Sequence, residues 1–201
     1  MMKSKFILTL LSITMFLGCD KKKTVTESRE VIKAPFVWDS ANLYFLMTDR
    51  FNNGDTLNDI NFNRTKKTAA LRGFEGGDIK GITQKINEGY FTNLGINAIW
   101  LTPIAEQIHG SVDEGTGVSY AYHGYWAKDW TALDPNFGTK EDLKTLVETA
   151  HGKGIRIVLD AVINHTGPVT DMDPVYPEDW VRTDDPCAYK TYESTVNCTL
   201  V

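Results

Sequence analysis

Asn42-Leu43-Tyr44-Phe45-Leu46-Met47-Thr48-Asp49-Arg50-Phe51, residues 42–51, is the stretch on which the fold turns. Residues 42–48 (NLYFLMT) are short, nearly continuous and apolar between polar flanks, the profile of a buried parallel strand. The end of the stretch chooses between two folds that share this opening. Thr48-Asp49-Arg50-Phe51 holds no glycine, so strand one does not open into the phosphate cradle that a doubly wound nucleotide-binding sheet carries at its first strand-to-helix turn.

Outward from this strand the pattern repeats. From Asp78, the residues Ile79, Ile82, Ile86, Tyr90, Phe91 and Leu94 recur at helical spacing and Gly95 stands where a C-terminal cap belongs, which predicts one helix. Residues 96–101 (INAIWL) form a second apolar run stopped by Pro103. After a long loop, Thr139 is placed to cap a helix carrying Leu143, Leu146, Val147 and Ala150, which Gly152 and Gly154 end. Residues 155–159 (IRIVL) make a third buried strand. The order is strand, helix, strand, helix, strand, with long loops after the strands. With the cradle absent, the expected class is α/β, a (β/α)8 TIM-type barrel. Such a barrel takes about 250 residues, so only the first three βα units are expected in this chain. Chemistry in these barrels sits in the loops at the C-terminal ends of the strands, where the aromatic and Asn/Asp-rich segments fall.

Composition narrows the function classes. The 201 residues are 42% hydrophobic and 23% charged, the balance of an ordinary globular protein rather than a disordered tail. The net charge of −5 is spread over mixed-sign segments, and the one dense basic run is Lys21-Lys22-Lys23, which argues against a nucleic-acid partner.

The N-terminus reads as an address. Lys3 and Lys5 precede an apolar run from Phe6 to Leu17, too short to span a bilayer and of signal-peptide length. The run ends in Phe16-Leu17-Gly18-Cys19, which resembles the bacterial lipoprotein cleavage box, the alternative being an ordinary signal peptide with an incidental cysteine. Residues 1–18 are expected to be the signal, Cys19 the lipidated residue, and residues 19–34, polar and aperiodic, a flexible tether. The folded part is expected over 35–201, in an exported, membrane-anchored lipoprotein. In that oxidising compartment Cys187 and Cys198 remain as an even pair, either a disulfide or two free thiols, with spacing that fits neither a zinc site nor a redox CxxC.

Four strings carry a family resemblance. Residues 43–51 (LYFLMTDRF) and Gly76-Gly77-Asp78 with Gly81-Ile82 are succeeded, in order, by Ala121-Tyr122-His123-Gly124-Tyr125-Trp126 and by Asp160-Ala161-Val162-Ile163-Asn164-His165. Together they resemble the signature regions of the α-amylase family, glycoside hydrolase family 13, over roughly residues 38–167. The resemblance implies a retaining hydrolase of α-1,4-glucosidic bonds in starch-like α-glucans. It assigns Tyr125 to stacking on the sugar ring at the cleavage point, Trp126 to the cleft nearby, and His123 and His165 to donating hydrogen bonds to sugar hydroxyls. Asp160 matches a carboxylate that orients neighbouring site residues. The nucleophile, the acid/base and a third carboxylate are expected from later strands, beyond Val201, so that no catalytic residue stands in residues 1–201 and this stretch alone is expected to be inactive.

Calcium is the expected cofactor. Asn164 resembles the family's side-chain ligand to a shared calcium. A second cluster, Asn53, Gly54, Asp55, Asn58 and Asp59, has the dense oxygen donors a hard cation wants, and Asp78 with the Gly76 carbonyl could close its shell; a solvated Asn/Gly turn is the alternative. The chain departs from the family where Ile79 and Lys80 replace its usual Trp and Gln after Gly-Gly-Asp. Two functions stand at this point: a lipid-anchored α-amylase, with cyclodextrin-degrading or transglycosylating activity as a variant, and a non-catalytic glucan-binding lipoprotein on the same barrel.

Overall fold

The computed structural model describes residues 35–173, of which 36–173 belong to the unit Phe36–Val201. The chain runs through β1 (Leu43–Leu46), α1 (Thr48–Phe51), α2 (Ile79–Asn87), α3 (Tyr90–Asn93) and β2 (Ala98–Leu101). A loop excursion comes next, with β3 (Ala105–Gln107), β4 (Val112–Asp113), β5 (Val118–Ser119) and β6 (Ala127–Leu133). Then come α4 (Lys140–Gly152) and β7 (Arg156–Leu159).

The three apolar runs pair as expected. β1, β2 and β7 form a parallel sheet in that order, with Leu43 opposite Ala98 opposite Arg156, and Leu46 opposite Leu101 opposite Leu159. Alternation along the strands splits it into two faces. Leu46, Ile99 and Leu101 pack with Ile79, Ile82 and Ile86 of α2, Phe91 of α3, and Leu146 and Ala150 of α4, and Tyr44 and Ile157 extend the same core. On the other face Leu43, Phe45 and Trp100 are exposed, the Phe45 and Trp100 rings meeting edge to face at 5.1 Å. A parallel sheet is ordinarily covered on both sides. In a (β/α) barrel the face away from the helices lines the interior, which is the position of Phe45 and Trp100.

One expectation is corrected. The single helix read over residues 78–94 is two, because the chain turns at Gly89, whose φ of 82° is left-handed. The apolar spacing carries across the break since both pieces face the same core. Both helical connections to a strand close alike: Gly95 N–H donates to the Thr92 carbonyl and Ile96 N–H to Phe91, while Gly154 N–H donates to His151 and Ile155 N–H to Ala150. Thr139 caps α4 as predicted, in a capping box with Asp142.

The long loop after β2 contains structure that the sequence pattern conceals. β3 pairs antiparallel with β6, with register shifts on either side of Glu106 that destroy any period-two alternation. A buried cation fixes this pair. Arg64 donates from Nη1 to Asp134 Oδ1 (2.8 Å) and Asn136 Oδ1 (2.6 Å), and from Nη2 to Asp134 Oδ2 (2.7 Å) and the Gln107 and Ile108 carbonyls. Its partner carboxylate is as buried as the guanidinium, so the pair is compensated inside the protein rather than by water.

Candidate active site

Tyr125 is held from three directions at the C-terminal edge of the sheet. Its N–H donates to His123 Nδ1 (2.9 Å), its hydroxyl donates to Asp160 Oδ2 (3.1 Å), and its carbonyl accepts from His165 Nε2 (2.9 Å). Gly124 makes this possible: its φ is 88° and a Cβ there would stand 2.2 Å from the Pro103 carbonyl oxygen. The chain therefore turns tightly and sets the His123 and Tyr125 rings near-parallel at 6.0 Å, with Trp126 edge-on to His123 at 4.8 Å. Burial, then the bond to Asp160 and its charge, raise the Tyr125 hydroxyl above its ordinary pKa, so it remains a proton donor.

The imidazoles are set in defined tautomers by their partners. His123 accepts at Nδ1, which leaves its proton on Nε2. Burial foremost, and the Arg50 guanidinium, lower its pKa against the pull of Glu114, so the neutral donor form is favoured. His165 donates from Nε2 to Tyr125, and its Nδ1 accepts from the Asn164 side-chain nitrogen at 3.0 Å. This commits the amide end of Asn164 to the imidazole, leaving Oδ1 as the atom that matches the resemblance's calcium ligand. His123, Tyr125, Trp126, Asp160, Asn164 and His165 thus come together in one place, from the loops after β2 and β7.

Behind this cluster stands a pair to which the sequence pattern gave no role. Asp49, buried in α1 just after β1, accepts from the Glu75 N–H and is paired with Arg50 Nε at 2.7 Å. Arg50 also donates to the Leu71 and Gly73 carbonyls and lies over the Tyr122 ring, its guanidinium carbon 4.0 Å from the centroid. Burial pushes the Asp49 carboxyl up to about 6, against the Glu75 N–H and the Arg50 charge. A second unforeseen residue is Gln107, fully buried, whose Oε1 accepts from Trp126 N–H (2.8 Å) and whose Nε2 donates to Ala105 (2.9 Å). An acid–base pair directly after a buried strand was a legible signal for the first. Nothing local marks Gln107, since its partner lies 19 residues away.

The oxygen cluster is built around Asp78. This residue caps α2 through Gly81 N–H (2.6 Å) and also accepts from Gly54 N–H (3.1 Å), Asp55 N–H (2.8 Å) and Asn58 Nδ2 (3.2 Å). Asn58 Oδ1 is buried with no partner. Asn53 Nδ2 donates to Asp59 Oδ1 at 2.8 Å, and a Cβ on Gly76 would fall 2.3 Å from that nitrogen and 2.6 Å from that oxygen. Asn53, Asn58, Asp59, Gly76 and Asp78 are therefore one tight, oxygen-rich group with an orphaned acceptor, which fits a hard cation. Among the described residues no three His, Cys, Asp or Glu side chains make a metal group, so such a site would rest on amide and backbone oxygens beside the carboxylates. Asp55 is directed elsewhere: Oδ1 accepts from Leu57 N–H and Oδ2 pairs with Lys80 Nζ at 2.6 Å. Cys19, Cys187 and Cys198 lie outside the described residues.

A parallel β–α–β–α–β segment with an aromatic and imidazole cluster at the C-terminal edge of its strands is the construction of a (β/α)-barrel protein with its site in the strand-end loops. The chain belongs to the α-amylase family: residues 45–178 match its catalytic domain. The chain is 51% identical over 144 residues to the periplasmic alpha-amylase of Escherichia coli K12, covering 70% of this chain and 21% of that protein. It is 40% identical over 138 residues to the cyclomaltodextrin glucanotransferase of Thermoanaerobacterium thermosulfurigenes, covering 68% of this chain and 19% of that one. Among solved structures, a cyclomaltodextrin glucanotransferase with a three-domain ABC distribution superposes with a TM-score of 0.60 at 36% identity, covering 70% of this chain and 29% of its own. The chain thus spans about a fifth of the length of these curated relatives.

Proposed function

We propose that the whole protein is an exported glycoside hydrolase that cleaves α-1,4-glucosidic bonds in α-glucans with retention, and that residues 35–173 are its sugar-positioning part. The observation that carries this reading is the three-way fixing of Tyr125 by His123, Asp160 and His165. A pinned aromatic face offers a sugar ring a stacking surface that does not have to be ordered on binding. The His123 Nε2–H adds a directional donor beside it, so the ring is fixed against both sliding and rotation. Asp160 works through Tyr125, holding its hydroxyl, and is a positioning residue. Bond cleavage falls to carboxylates on later strands of the barrel, where a retaining enzyme needs a pair about 5 Å apart. Asn53, Asn58, Asp59, Asp78 and the Gly76 carbonyl would hold one calcium ion and Asn164 would contribute to another. When bound, such an ion supplies fixed positive charge that ties loops to the barrel. The higher identity to the periplasmic amylase than to the glucanotransferase favours hydrolysis over ring-forming transfer.

The test is hydrolysis of maltooligosaccharides by the whole protein, with products resolved by chromatography. Linear products of retained configuration are expected. Tyr125→Ala should cost on the order of 10²-fold in kcat/KM, the scale of a misplaced reacting bond. Glucan binding without turnover in the wild-type protein would instead identify a non-catalytic glucan-binding lipoprotein. We propose further that Cys19 carries a lipid anchor on the far side of the export membrane and that Cys187 and Cys198 form a disulfide. Cell fractionation checks the anchor: the wild-type protein should sediment with membranes and Cys19→Ser should not, while equal partition of both would refute it.

A further inference from the structure

Lys80 occupies the first turn of α2, two residues after the Asp78 cap, and its ammonium reaches across to the loop that carries the oxygen cluster. Nζ lies 2.6 Å from Asp55 Oδ2 and 3.8 Å from Asp142 Oδ1, so one lysine joins the 53–59 loop to the N-terminus of α4. Both Asp55 oxygens are engaged in this arrangement, Oδ2 by Lys80 and Oδ1 by Leu57 N–H. Yet its backbone N–H donates to Asp78, which places the residue at the margin of the cluster whose orphaned acceptor is Asn58 Oδ1.

We infer that Lys80 is a built-in competitor cation: by engaging Asp55 it withholds one carboxylate from the Asn53–Asn58–Asp59–Asp78 cluster and so lowers that site's affinity for calcium. The inference rests on the calcium reading above. Three aspartates, Asp55, Asp59 and Asp78, surround the loop, and calcium affinity depends on the number of charged ligands and the freedom of the site to close on the ion. With Asp55 held by Lys80, one carboxylate fewer is free to turn toward the cluster. The ammonium also adds like-charge repulsion toward any divalent cation in the cluster. Lys80 is partly exposed and tethered by a flexible stem, so replacing it with neutral glutamine removes the charge without opening a core cavity.

The experiment is calorimetric titration of chelator-stripped, full-length protein with calcium chloride, for the wild type, Lys80→Gln, Asp55→Asn and the double variant. Lys80→Gln should tighten calcium binding on the order of tenfold, a single step on the scale over which ligand charge tunes such sites. Asp55→Asn should change little in the wild-type background and should abolish the gain in the Lys80→Gln background. The calcium-induced rise in melting temperature should fall in the same order. Equal or weaker binding by Lys80→Gln overturns the role given to Lys80 and leaves the calcium site standing. Absence of calcium binding in all four proteins overturns the calcium reading itself.

Discussion

The loops after β2 and β7 supply the two halves of the Tyr125 cluster, and they are held in different ways. The first is fixed by groups inside the protein. Gly124 is seated against Pro103, Trp126 N–H is taken by the buried Gln107, and Tyr122 lies under Arg50, itself tied to Asp49 and to two carbonyls. The second is exposed over residues 163–165, and its hydrogen bonds run outward to the first: His165 to the Tyr125 carbonyl, and Trp130 Nε1 of β6 to the Val162 carbonyl at 2.7 Å. One loop carries its own geometry and the other takes its geometry from its neighbour. Pre-organisation of the site is therefore asymmetric, and perturbation should travel from the β2 loop to the β7 loop rather than in reverse.

The largest effect should come from breaking the first loop at its buried support. Gln107→Leu keeps the volume but removes the acceptor of Trp126 N–H and the donor to Ala105, a cost of about 1–3 kcal/mol in stability for polar groups left unmatched. The Tyr125 backbone should shift with Trp126, so His165 loses its partner as well. In NMR spectra of the whole protein, ring resonances of both His123 and His165 should move. His165→Ala, made at an exposed position, should leave stability and the His123 and Tyr125 resonances nearly unchanged. If His165→Ala disturbs His123 as strongly as Gln107→Leu does, the asymmetry is wrong.

The range of the forces involved decides how much of this was legible. Residues 43–46, 98–101 and 156–159 betray themselves because both faces of a parallel barrel strand are apolar, whatever packs on them. Thr139 and Gly95 were readable because a helix end is satisfied within a few residues of itself. The break at Gly89 was not, since Ile86 and Phe91 keep one apolar face across it. β6 escaped because its ladder is interrupted by register shifts, so that buried and exposed positions do not alternate. His123, Tyr125, Asp160 and His165 were singled out by resemblance, while Gln107 and the Arg64–Asp134 pair answer to partners 19 and 70 residues away. A buried polar group is defined by what it meets, and no local pattern encodes that.

The far end of the β7 loop offers the gentler test, through acid. Asp173 closes this loop onto the turn after β3, accepting from His109 N–H (2.9 Å), Gly110 N–H (2.8 Å), Lys128 Nζ (2.8 Å) and Thr170 Oγ1 (2.5 Å). Burial acts to raise its pKa, but these donors outweigh it and hold the carboxyl down at about 2, against an ordinary 3.8. A folded-state pKa below the unfolded one means that the carboxylate's contribution is complete above about pH 4 and is lost as the pH falls through about 2, at no more than roughly 1.4 kcal/mol per pH unit for one group. Hydrogen exchange across that window should therefore loosen His109, Gly110 and the backbone near Thr170 before the amides of β2. Asp173→Asn should be loose there already at neutral pH and should flatten the acid dependence by one group's share. Unchanged acid dependence in Asp173→Asn would mean that the β7 loop is held by its bonds to Tyr125 and Trp130 without help from Asp173.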